Sequence, residues 1–342
     1  MEKMMTTFTA HARKSGIKMR TGVLAALLSI TLSTNALSAD LPEWWNDWAK
    51  RTEASRKTIN DMTTSANKLD ADIAYNEFLE YFDEDVKIHG LTDSTVGKET
   101  VKEHYYPVFH ILNLVLVNDA LIAVGDQVME RYHAWRSFDA ETGTLQFDNC
   151  EFKPKSGAFS IRGYTLFNIR EGKIVERFSN HDHGYRFQQT CGKADKGNAI
   201  KASLSGGFEN DNEVYQWGLT QLDNMSKINL SMEDRLALAT DSFAKDAEIL
   251  GVGPKPASIK ELKQYLKTLW SAFPDLIYHQ NGAATAWGRL AINYQAAGSH
   301  RGEWYGDKAT HQAILLKGEM ILQFNQEGKI IKASIYDKLD QL

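Results

Sequence analysis

The feature of this sequence that most restricts its fold is an internal repeat. The segment GKIVERFSNHDHGYRF begins at Gly172, and 156 residues later the chain reads GKIIKASIYDKLDQL from Gly328. Similarity at a fixed distance along a chain indicates two copies of one structural unit. With 342 residues, the chain is long enough for two domains of ordinary size, each with its own core.

The similarity extends upstream of these two segments. YFDEDVKIHG at 81–90 corresponds to SFAKDAEILG at 242–251, and two segments with apolar residues at helical spacing follow, VGKETVKEHYYPVFHI and ASIKELKQYLKTLWSAF. Next come ALIAVGDQVMERYHAW and GAATAWGRLAINYQAA, both rich in strand-forming residues. Each copy therefore predicts an α+β unit, in which helices lead and an antiparallel sheet of three or four long strands follows.

Local signals support this reading. Gly172 and Gly328 each follow a glutamate between two strand segments, which predicts hairpin turns in which glycine takes a positive φ. Ser231 stands before an apolar helical segment with Asp234 three residues later, a pattern similar to a capping box.

The N-terminus has the pattern of a secretory signal peptide. Basic residues precede an apolar run from Gly22 to Leu32, and small residues follow in STNALSAD. A membrane-spanning helix requires about 20 apolar residues, and this run is shorter. We therefore expect cleavage near Ala39 and a periplasmic or secreted protein. An uncleaved anchor is the alternative, and Met19 is a second candidate start.

These signals give a domain plan. Residues 1–39 are the predicted signal peptide, 40–190 a first domain and 208–342 a second domain. The polar, glycine-containing segment at 191–207 is the predicted linker.

Charge argues against a nucleic-acid partner. Residues 1–39 carry five basic residues and one acidic residue, so their removal changes the formal net charge from −5 to −9. An acidic protein binds the phosphate backbone poorly, and the mature part has no basic run with interleaved aromatic residues. We therefore expect a small-molecule ligand, with no nucleic acid and no membrane contact after cleavage.

The segment YQAAGSHRGEWYGDKATHQAILLKGEMILQFNQEGKI at 294–330 resembles the SnoaL-like polyketide cyclase or ester cyclase group. In that group a G-x-H-x-G strand, a loop, a strand ending in an apolar-aromatic pair and GKI occur in this order. The group belongs to the nuclear-transport-factor-2-like superfamily, so the resemblance implies a curved antiparallel sheet around a cone-shaped pocket closed by helices. The similarity covers most of 208–342 and, more weakly, 57–190.

The resemblance also implies an arrangement of the two copies and a type of chemistry. Single-copy relatives commonly dimerise through their sheets, so two fused copies imply a pseudo-dimer within one chain. The family's cyclases close a ring by an intramolecular aldol addition without metal or cofactor. This reaction requires a base that removes a proton next to a carbonyl, and donors that hold the resulting enolate.

In the family the base is an Asp on the strand after GKI, commonly in a D-x-x-D pair seven and ten residues after the turn glycine. The first position holds Ser179 in copy one and Ile335 in copy two. The second position holds Asp182 in copy one, whereas Asp337 in copy two falls one residue early. The resemblance therefore supports the fold better than it supports catalysis.

Strand alternation gives an independent reading of these residues. Ile331, Ala333, Ile335 and Asp337 share one face, which is apolar and ends in a single carboxylate. Desolvation would raise the pKa of such a carboxyl group, which suits acid/base chemistry. In the alternative, Asp337 lies past the strand and faces water.

In copy one the same alternation puts Ser179, His181 and His183 on one face and Asp182 on the other, unless a bulge intervenes. The two histidines could flank one metal ion. Because zinc requires three or four ligands and no third is near in sequence, we expect no metal.

These patterns predict a site in each copy. We predict Asp337 and Asp182 as the bases, and His300 and His133 as groups that orient a carbonyl or stabilise its enolate. We predict further ligand contacts from six polar and aromatic residues, Tyr132, Trp135, Tyr294, Gln295, Ser179 and His181. In the alternative interpretation, the predicted residues of the middle strands only pack in the core and contact no ligand.

Two other features leave alternatives open. Cys150 and Cys191 are the only cysteines, and they either form a disulfide in an oxidising compartment or stay as two buried thiols. WWNDW at 44–48 places three tryptophans at helical spacing on a first helix, which would close the open end of its sheet.

Two functions follow. The first is a cofactor-free acid/base enzyme, an aldol cyclase or isomerase, that acts on a small, largely apolar carbonyl compound. The second is a non-catalytic ligand-binding or assembly module that uses the same pocket. Asp182 and Asp337 favour the first function, and the missing first Asp in both copies favours the second.

Overall fold

The structure is a computed structural model. It describes residues 41–89, 95–110, 114–137, 145–147, 150–152, 158–181 and 211–341. The predicted signal peptide and linker, Asp182, His183 and Cys191 lie outside these residues, so the domain boundaries and the cysteine pairing stay predictions.

The first half of the chain contains three helices and eight strands among the described residues. In chain order they are α1 (Glu43–Ala66), α2 (Ala71–Leu79), β1 (Phe82–His89), β2 (Thr95–Val96), α3 (Lys98–His110), β3 (Leu114–Val124), β4 (Gln127–Ser137), β5 (Leu145–Phe147), β6 (Cys150–Phe152), β7 (Ala158–Arg170) and β8 (Lys173–His181).

The second half contains three helices and five strands among the described residues. They are α4 (Asp211–Met225), α5 (Met232–Thr240), β9 (Phe243–Leu250), α6 (Ile259–Ala272), β10 (Ile277–Ala286), β11 (Arg289–Ser299), β12 (Ala313–Phe324) and β13 (Ile330–Gln341).

The two large sheets share one topology. The first has the order β2-β1-β8-β7-β4-β3 and the second the order β9-β13-β12-β11-β10, while β5 and β6 form a separate ribbon. The repeat in the sequence is thus a repeat of topology, and the α+β class is confirmed. We predicted antiparallel sheets, but β1 pairs with β8, and β9 with β13, in parallel. These strands are far apart in the chain, so no hairpin fixes their direction.

Local irregularities recur at the same places in both halves. Gly172 and Gly328 lie at equivalent hairpin turns with φ of 75° and 74°, as predicted. The pairing of β3 with β4 shifts register after Asn118, and that of β10 with β11 after Gln280. Since Asn118 pairs with Tyr132 as Gln280 pairs with Tyr294, the two bulges occupy one position of the repeat.

Side-chain caps fix the starts of the helices in the second half. The backbone N–H of Asp234 donates to Oγ of Ser231 at 3.1 Å, as the sequence predicts. At the start of α6, the backbone N–H of Ser258 donates to the carboxylate of Glu261 at 2.6 Å and completes a capping box. This cap sets the register of the helix that later supplies Tyr265.

Each sheet has one face against helices, here called the helix face, and one face against the other sheet, the inter-sheet face. On the helix face of the first sheet, Val128 and Phe167 belong to a core that includes residues of α2 and α3. Between the sheets, Met129 and Leu166 share a core with Ile321. The two halves of one chain therefore pack through their sheets.

A buried charged network reinforces this contact. Glu319, which is 8% exposed, accepts from Nη2 of Arg56 at 2.5 Å and from Nδ2 of Asn293 at 3.1 Å. The backbone N–H of Ala123 in the first half also donates to its carboxylate, at 3.3 Å. A buried carboxylate requires such partners, so the network links α1 and β3 to the second sheet.

The tryptophans of α1 also reach the second half. Trp48 donates from Nε1 to the carbonyl oxygen of Ile335 at 2.7 Å. Its ring packs over Gly125 and Gly251, where an added Cβ would come within 2.3 and 2.5 Å of the indole. Trp45 makes an edge contact with Trp304, with centroids 6.1 Å apart. The first helix therefore covers part of the second half, which the sequence did not predict.

Among the helices of the described residues, none has both the length and the apolar character needed to cross a membrane.

Candidate functional site

The candidate site lies on the helix face of the second sheet, where three cross-strand rows run over β11, β12 and β13. The rows are Leu290–Leu322–Ala333, Ile292–Met320–Ile335 and Tyr294–Gly318–Asp337. The first two rows are apolar, whereas the third brings a hydroxyl and a carboxyl group to the same end of the face.

The carboxyl group of Asp337 is buried and hydrogen-bonded on both oxygens. Asp337 is 4% exposed and lies within β13. Tyr265 of α6 donates from Oη to Oδ2 at 2.6 Å, and Tyr294 of β11 donates from Oη to Oδ1 at 2.5 Å. Asp337 therefore faces the interior, and the alternative in which it faces water is wrong.

A glycine makes the contact between Tyr294 and Asp337 geometrically accessible. Gly318 lies between them in the row, on the middle strand. A Cβ added at Gly318 would come within 2.0 Å of Cζ of Tyr294. The tyrosine ring thus crosses β12 through the space that the missing side chain leaves.

Burial and hydrogen bonding act in opposite directions on Asp337. Burial raises the pKa of its carboxyl group, and the hydroxyl groups of Tyr265 and Tyr294 lower it, with a net increase. Burial, followed by the charge of Asp337, raises the pKa of both tyrosines well above the ordinary value. The hydroxyls therefore stay protonated donors, while the carboxyl group is more basic than an exposed aspartate.

These groups line a cavity of about 60 Å³. Its lining is mostly apolar and comprises Trp217, Gln221, Leu222, Met225, Ala239, Phe243, Leu262, Tyr265, Leu266, Leu269, Tyr278, Ile292, Tyr294, Met320, Leu322, Ile330, Ile335 and Asp337. The partly exposed members belong to α4, α5 and the start of β9. A water needs only about 10–15 Å³ by this measure, so the cavity has room for a small ligand or for one end of a larger one.

Tyr278 is a third tyrosine of the cavity, and a separate set of contacts holds it. Trp270 of α6 donates from Nε1 to Oη of Tyr278 at 3.1 Å. The guanidinium of Arg235 lies over the Trp270 ring, 4.0 Å from its centroid, and donates to the carbonyl oxygen of Met225 at 2.6 Å. Burial raises the pKa of Tyr278, which keeps its hydroxyl protonated.

Of the residues predicted in the second half, Asp337 and Tyr294 meet in the cavity. Gln295 follows Tyr294 on β11 and shares the opposite face with Asn293, which binds Glu319. His300 is fully buried after the end of β11 beside Phe273, with Nδ1 3.2 Å from Oγ1 of Thr310. Gln295 and His300 therefore do not line the cavity.

In the first half, the register places Tyr132, Gly163 and His181 in one row, as it places Tyr294, Gly318 and Asp337 in the second. His181 follows Gly172 by nine residues, and Asp337 follows Gly328 by nine. The counterpart of Asp337 is therefore His181 and not Asp182. For His181 the structure describes the backbone alone.

The remaining predicted residues of the first half lie on both faces of its sheet. Ser179 is 3% exposed on the helix face. His133 and Trp135 lie on the opposite face, because they alternate with the buried Tyr132. His133 pairs through Nδ1 with Oδ2 of Asp119 at 2.5 Å, and Trp135 is 53% exposed. His133 and Trp135 therefore lie on the face of the sheet opposite to Ser179 and do not share a site with it.

Sequence reasoning missed Tyr265, Tyr278 and Gly318. Tyr265 interrupts an apolar helical stripe that includes Leu262 and Leu269, and a tyrosine at such a position was a usable signal. Gly318 stands in the interior of a strand, which often marks a close approach. Within the described ranges, no group of three or more His, Cys, Asp or Glu residues could hold a metal ion.

The sequence profile of the SnoaL-like domain matches residues 43–177, the half in which the resemblance was weaker. None of the curated proteins compared with the chain matches it.

Three solved structures illustrate the similarity. AclR, a putative hydroxylase from Streptomyces galilaeus, is 18% identical, with 38% of this chain and 91% of that chain covered and a TM-score of 0.33. A putative polyketide cyclase from Silicibacter sp. TM1040 is 16% identical, with 40% and 96% covered and a TM-score of 0.35. A putative SnoaL-like polyketide cyclase from Jannaschia sp. CCS1 is 8% identical, with 38% and 92% covered and a TM-score of 0.33.

Proposed function

We propose that the second half binds a small, largely apolar carbonyl compound and exchanges a proton with it at Asp337. The second half repeats the topology of the first, in which residues 43–177 match the SnoaL-like domain. The observation that carries the proposal is the buried carboxyl group at the polar end of an otherwise apolar cavity. Such a combination is typical of ligand and active sites.

The cavity supplies both parts of the recognition. Leu262, Leu266 and Met320 offer apolar contacts to the hydrocarbon part of a ligand. A carbonyl oxygen requires a donor, and the hydroxyls of Tyr265 and Tyr294 stay protonated beside Asp337. One of them can turn from the carboxylate to the ligand, which orients the carbonyl group toward the base.

The proposed step is a proton transfer without a cofactor. An oxygen of Asp337 takes the proton from the carbon next to the carbonyl, and the C–H electrons move to the carbonyl oxygen, which becomes an enolate. A tyrosine hydroxyl stabilises this enolate by donating to it. The raised pKa of Asp337 favours this reaction, because a more basic carboxylate is a better proton acceptor.

The second candidate is a binding module without catalysis. It is favoured by the two hydrogen bonds that already occupy both carboxylate oxygens, because these hydrogen bonds reduce the basicity of Asp337. The same cavity would then hold a ligand whose carbonyl or hydroxyl group replaces one tyrosine contact.

Hydrogen exchange distinguishes the two candidates. The protein is incubated in D₂O with ketones of increasing size, from acetone to acetophenone, and deuterium next to the carbonyl is followed by NMR, with calorimetry for binding. We expect accelerated exchange that falls by about 10²- to 10⁴-fold in Asp337→Asn, the loss typical of a missing general base. The control Asp246→Asn changes an exposed carboxyl group of β9, and this variant should accelerate hydrogen exchange of the ketones as much as the wild type does. Binding without exchange would contradict the catalytic proposal and support the binding module.

We also propose that the protein is exported. The basic, apolar and small-residue segments of 1–39 support this, in the order typical of a signal peptide.

A further inference from the structure

The helix faces of the two sheets have the same rows but differ in chemistry at four positions. In the first sheet the rows are Val128–Phe167–Arg177, Glu130–Thr165–Ser179 and Tyr132–Gly163–His181. Where the second sheet has Ile292, Met320 and Ile335, the first therefore has Glu130, Thr165 and Ser179. Where the second sheet has Ala333, the first has Arg177. At these four positions the second half carries apolar side chains and the first half carries polar or charged ones.

These polar groups are buried. Glu130 is 2% exposed, Thr165 0%, Ser179 3% and Arg177 8%. Removing a carboxyl group and a guanidinium from water is unfavourable unless they gain partners. A row that served packing alone would hold apolar residues, as the second half shows.

The partners within the chain are incomplete. Oγ1 of Thr165 and Oγ of Ser179 are 3.4 Å apart. Arg177 donates from Nη1 to Oη of Tyr105, and its guanidinium lies near the rings of Tyr105 and Phe167, at 5.5 and 5.8 Å. Among the described residues, Oε1 of Glu130 and Nε of Arg177 have no hydrogen-bond partner. Arg177 is not among the ion pairs of the described part of the chain.

Burial leaves this face with a positive charge. It raises the pKa of Glu130 to about 8, so this carboxyl group is mostly protonated at neutral pH. It lowers the pKa of Arg177 to about 9, so the guanidinium is mostly still charged. A protonated Glu130 can both donate and accept, whereas Arg177 has no anionic partner among the described residues.

We propose that the helix face of the first sheet is a second binding site, which takes a small carboxylate at Arg177 and places a hydroxyl or carbonyl group of the same molecule at Glu130. The planar fork of an arginine matches a carboxylate, and Nε of Arg177 has no hydrogen-bond partner among the described residues. Glu130 and Arg177 lie on the strands either side of β7 and one row apart, so two strand spacings of about 4.8 Å each and two residues of about 3.4 Å each separate their Cα atoms. Because both side chains are long, a molecule of a few carbon atoms can span the two groups. Thr165 and Ser179, in the row of Glu130, supply hydroxyls.

This site is independent of the function proposed for the second half. It predicts that the two halves bind chemically different molecules, a carboxylate in the first and an apolar carbonyl compound in the second. Asp337→Asn should therefore leave carboxylate binding unchanged.

The test uses the full chain, with pyruvate, succinate and benzoate as probes and their amides, pyruvamide, succinamide and benzamide, as neutral counterparts. Binding is measured by calorimetry and by the shift of the thermal unfolding midpoint. We expect at least one carboxylate to bind at Arg177 and its neutral counterpart not to bind at this site. Arg177→Met should reduce carboxylate affinity by roughly ten- to a hundred-fold, the range for hydrogen bonds to a charged group, while the exposed control Arg170→Met should not.

If Arg177→Met does not fold, Arg177→Lys keeps the charge but loses the fork, and should bind the carboxylate more weakly than the wild type. Glu130→Leu removes both the donor and the acceptor and should weaken succinate or pyruvate binding more than benzoate binding, because benzoate has no second polar group. The proposal is overturned if no carboxylate binds, or if carboxylates bind equally well to the wild type and to the folded Arg177 variant.

Discussion

The ring of Tyr294 lies across Gly318, so close that an added Cβ would come within 2.0 Å of Cζ of the tyrosine. Through this crossing a side chain of β11 reaches Asp337 on β13, one strand beyond its neighbour. The geometry of the buried carboxyl group therefore depends on the absence of a side chain on the middle strand.

Gly318→Ala should displace Tyr294 and lower the free energy of unfolding by about 1–3 kcal/mol, the usual effect of overpacking a core. Urea unfolding measures this change. Gly282→Ala is the matched control, because an added Cβ there meets nothing within 4 Å. Equal losses in the two variants would mean that the crossing is not a tight contact.

Tyr265→Phe should raise the pKa of Asp337, because the hydrogen bond from Tyr265 lowers that pKa in the wild type. Carboxyl ¹³C chemical shifts in a pH titration report this change. Tyr215→Phe removes the hydroxyl of an exposed tyrosine on α4 and should leave the titration unchanged. An unshifted Asp337 in Tyr265→Phe would contradict the hydrogen bond.

Glu130 should make the protein less stable as pH rises. Its pKa is raised from 4.5 to about 8 in the folded chain, so folding favours the protonated form. The resulting stability is fully present below about pH 4.5 and is lost as pH rises through about 8. The other titratable side chains described at this face are Arg177 and Tyr132 on the sheet and Tyr105 of α3, which accepts from Arg177; His181 lies in the row of Tyr132, with its backbone alone described.

Glu130→Gln lacks this titration. Its free energy of unfolding, relative to the wild type, should increase by about 1.4 kcal/mol for each pH unit between about 5 and 8. Urea unfolding at pH 5, 6.5 and 8 measures the difference, and subtraction removes the contribution of all other groups. A difference that does not change with pH would show that Glu130 is ionised in the folded chain.

Trp48→Phe should destabilise the second half, although Trp48 belongs to the first. The change removes the hydrogen bond to the carbonyl oxygen of Ile335 and leaves space over Gly125 and Gly251. We expect a loss of about 1–3 kcal/mol in urea unfolding. Trp44→Phe, on the same helix and also half-buried, is the control and should lose less, because its indole is not among the hydrogen-bond donors of the described residues.

Mass spectrometry of the protein recovered outside the cytoplasm tests export. We expect an N-terminus near Asp40, because the residues before it have the small side chains that signal peptidases accept. Recovery of an intact chain in the membrane fraction would instead show that the apolar run is an anchor.

The repeat, the α+β class and the turns at Gly172 and Gly328 could be predicted because they depend on local patterns. The position of Asp337 on an apolar strand face followed from alternation alone. The hydrogen bond from Tyr265 to Asp337 could not be predicted in this way. The two residues are 72 positions apart, and the helix and the strand that carry them meet only in the folded chain.

The family motif also misled in one place. It put Asp182 at the second aspartate position, ten residues after the turn glycine, but register across the sheet makes His181, nine residues after that glycine, the counterpart of Asp337. His133 and Trp135 were chosen by residue type without regard to alternation, and they lie on the opposite face from Tyr132. Residue type has to be combined with register before a site can be placed.

The packing of the two sheets has a consequence for how ligands reach the protein. Because the sheets meet through their inter-sheet faces, the helix faces point away from each other, with both sheets between them. In the described part of the chain, a molecule that leaves one helix face therefore meets the other only through bulk water. If both proposed sites are occupied, we expect no direct passage of an intermediate between them, and each site should exchange with the surrounding solution on its own.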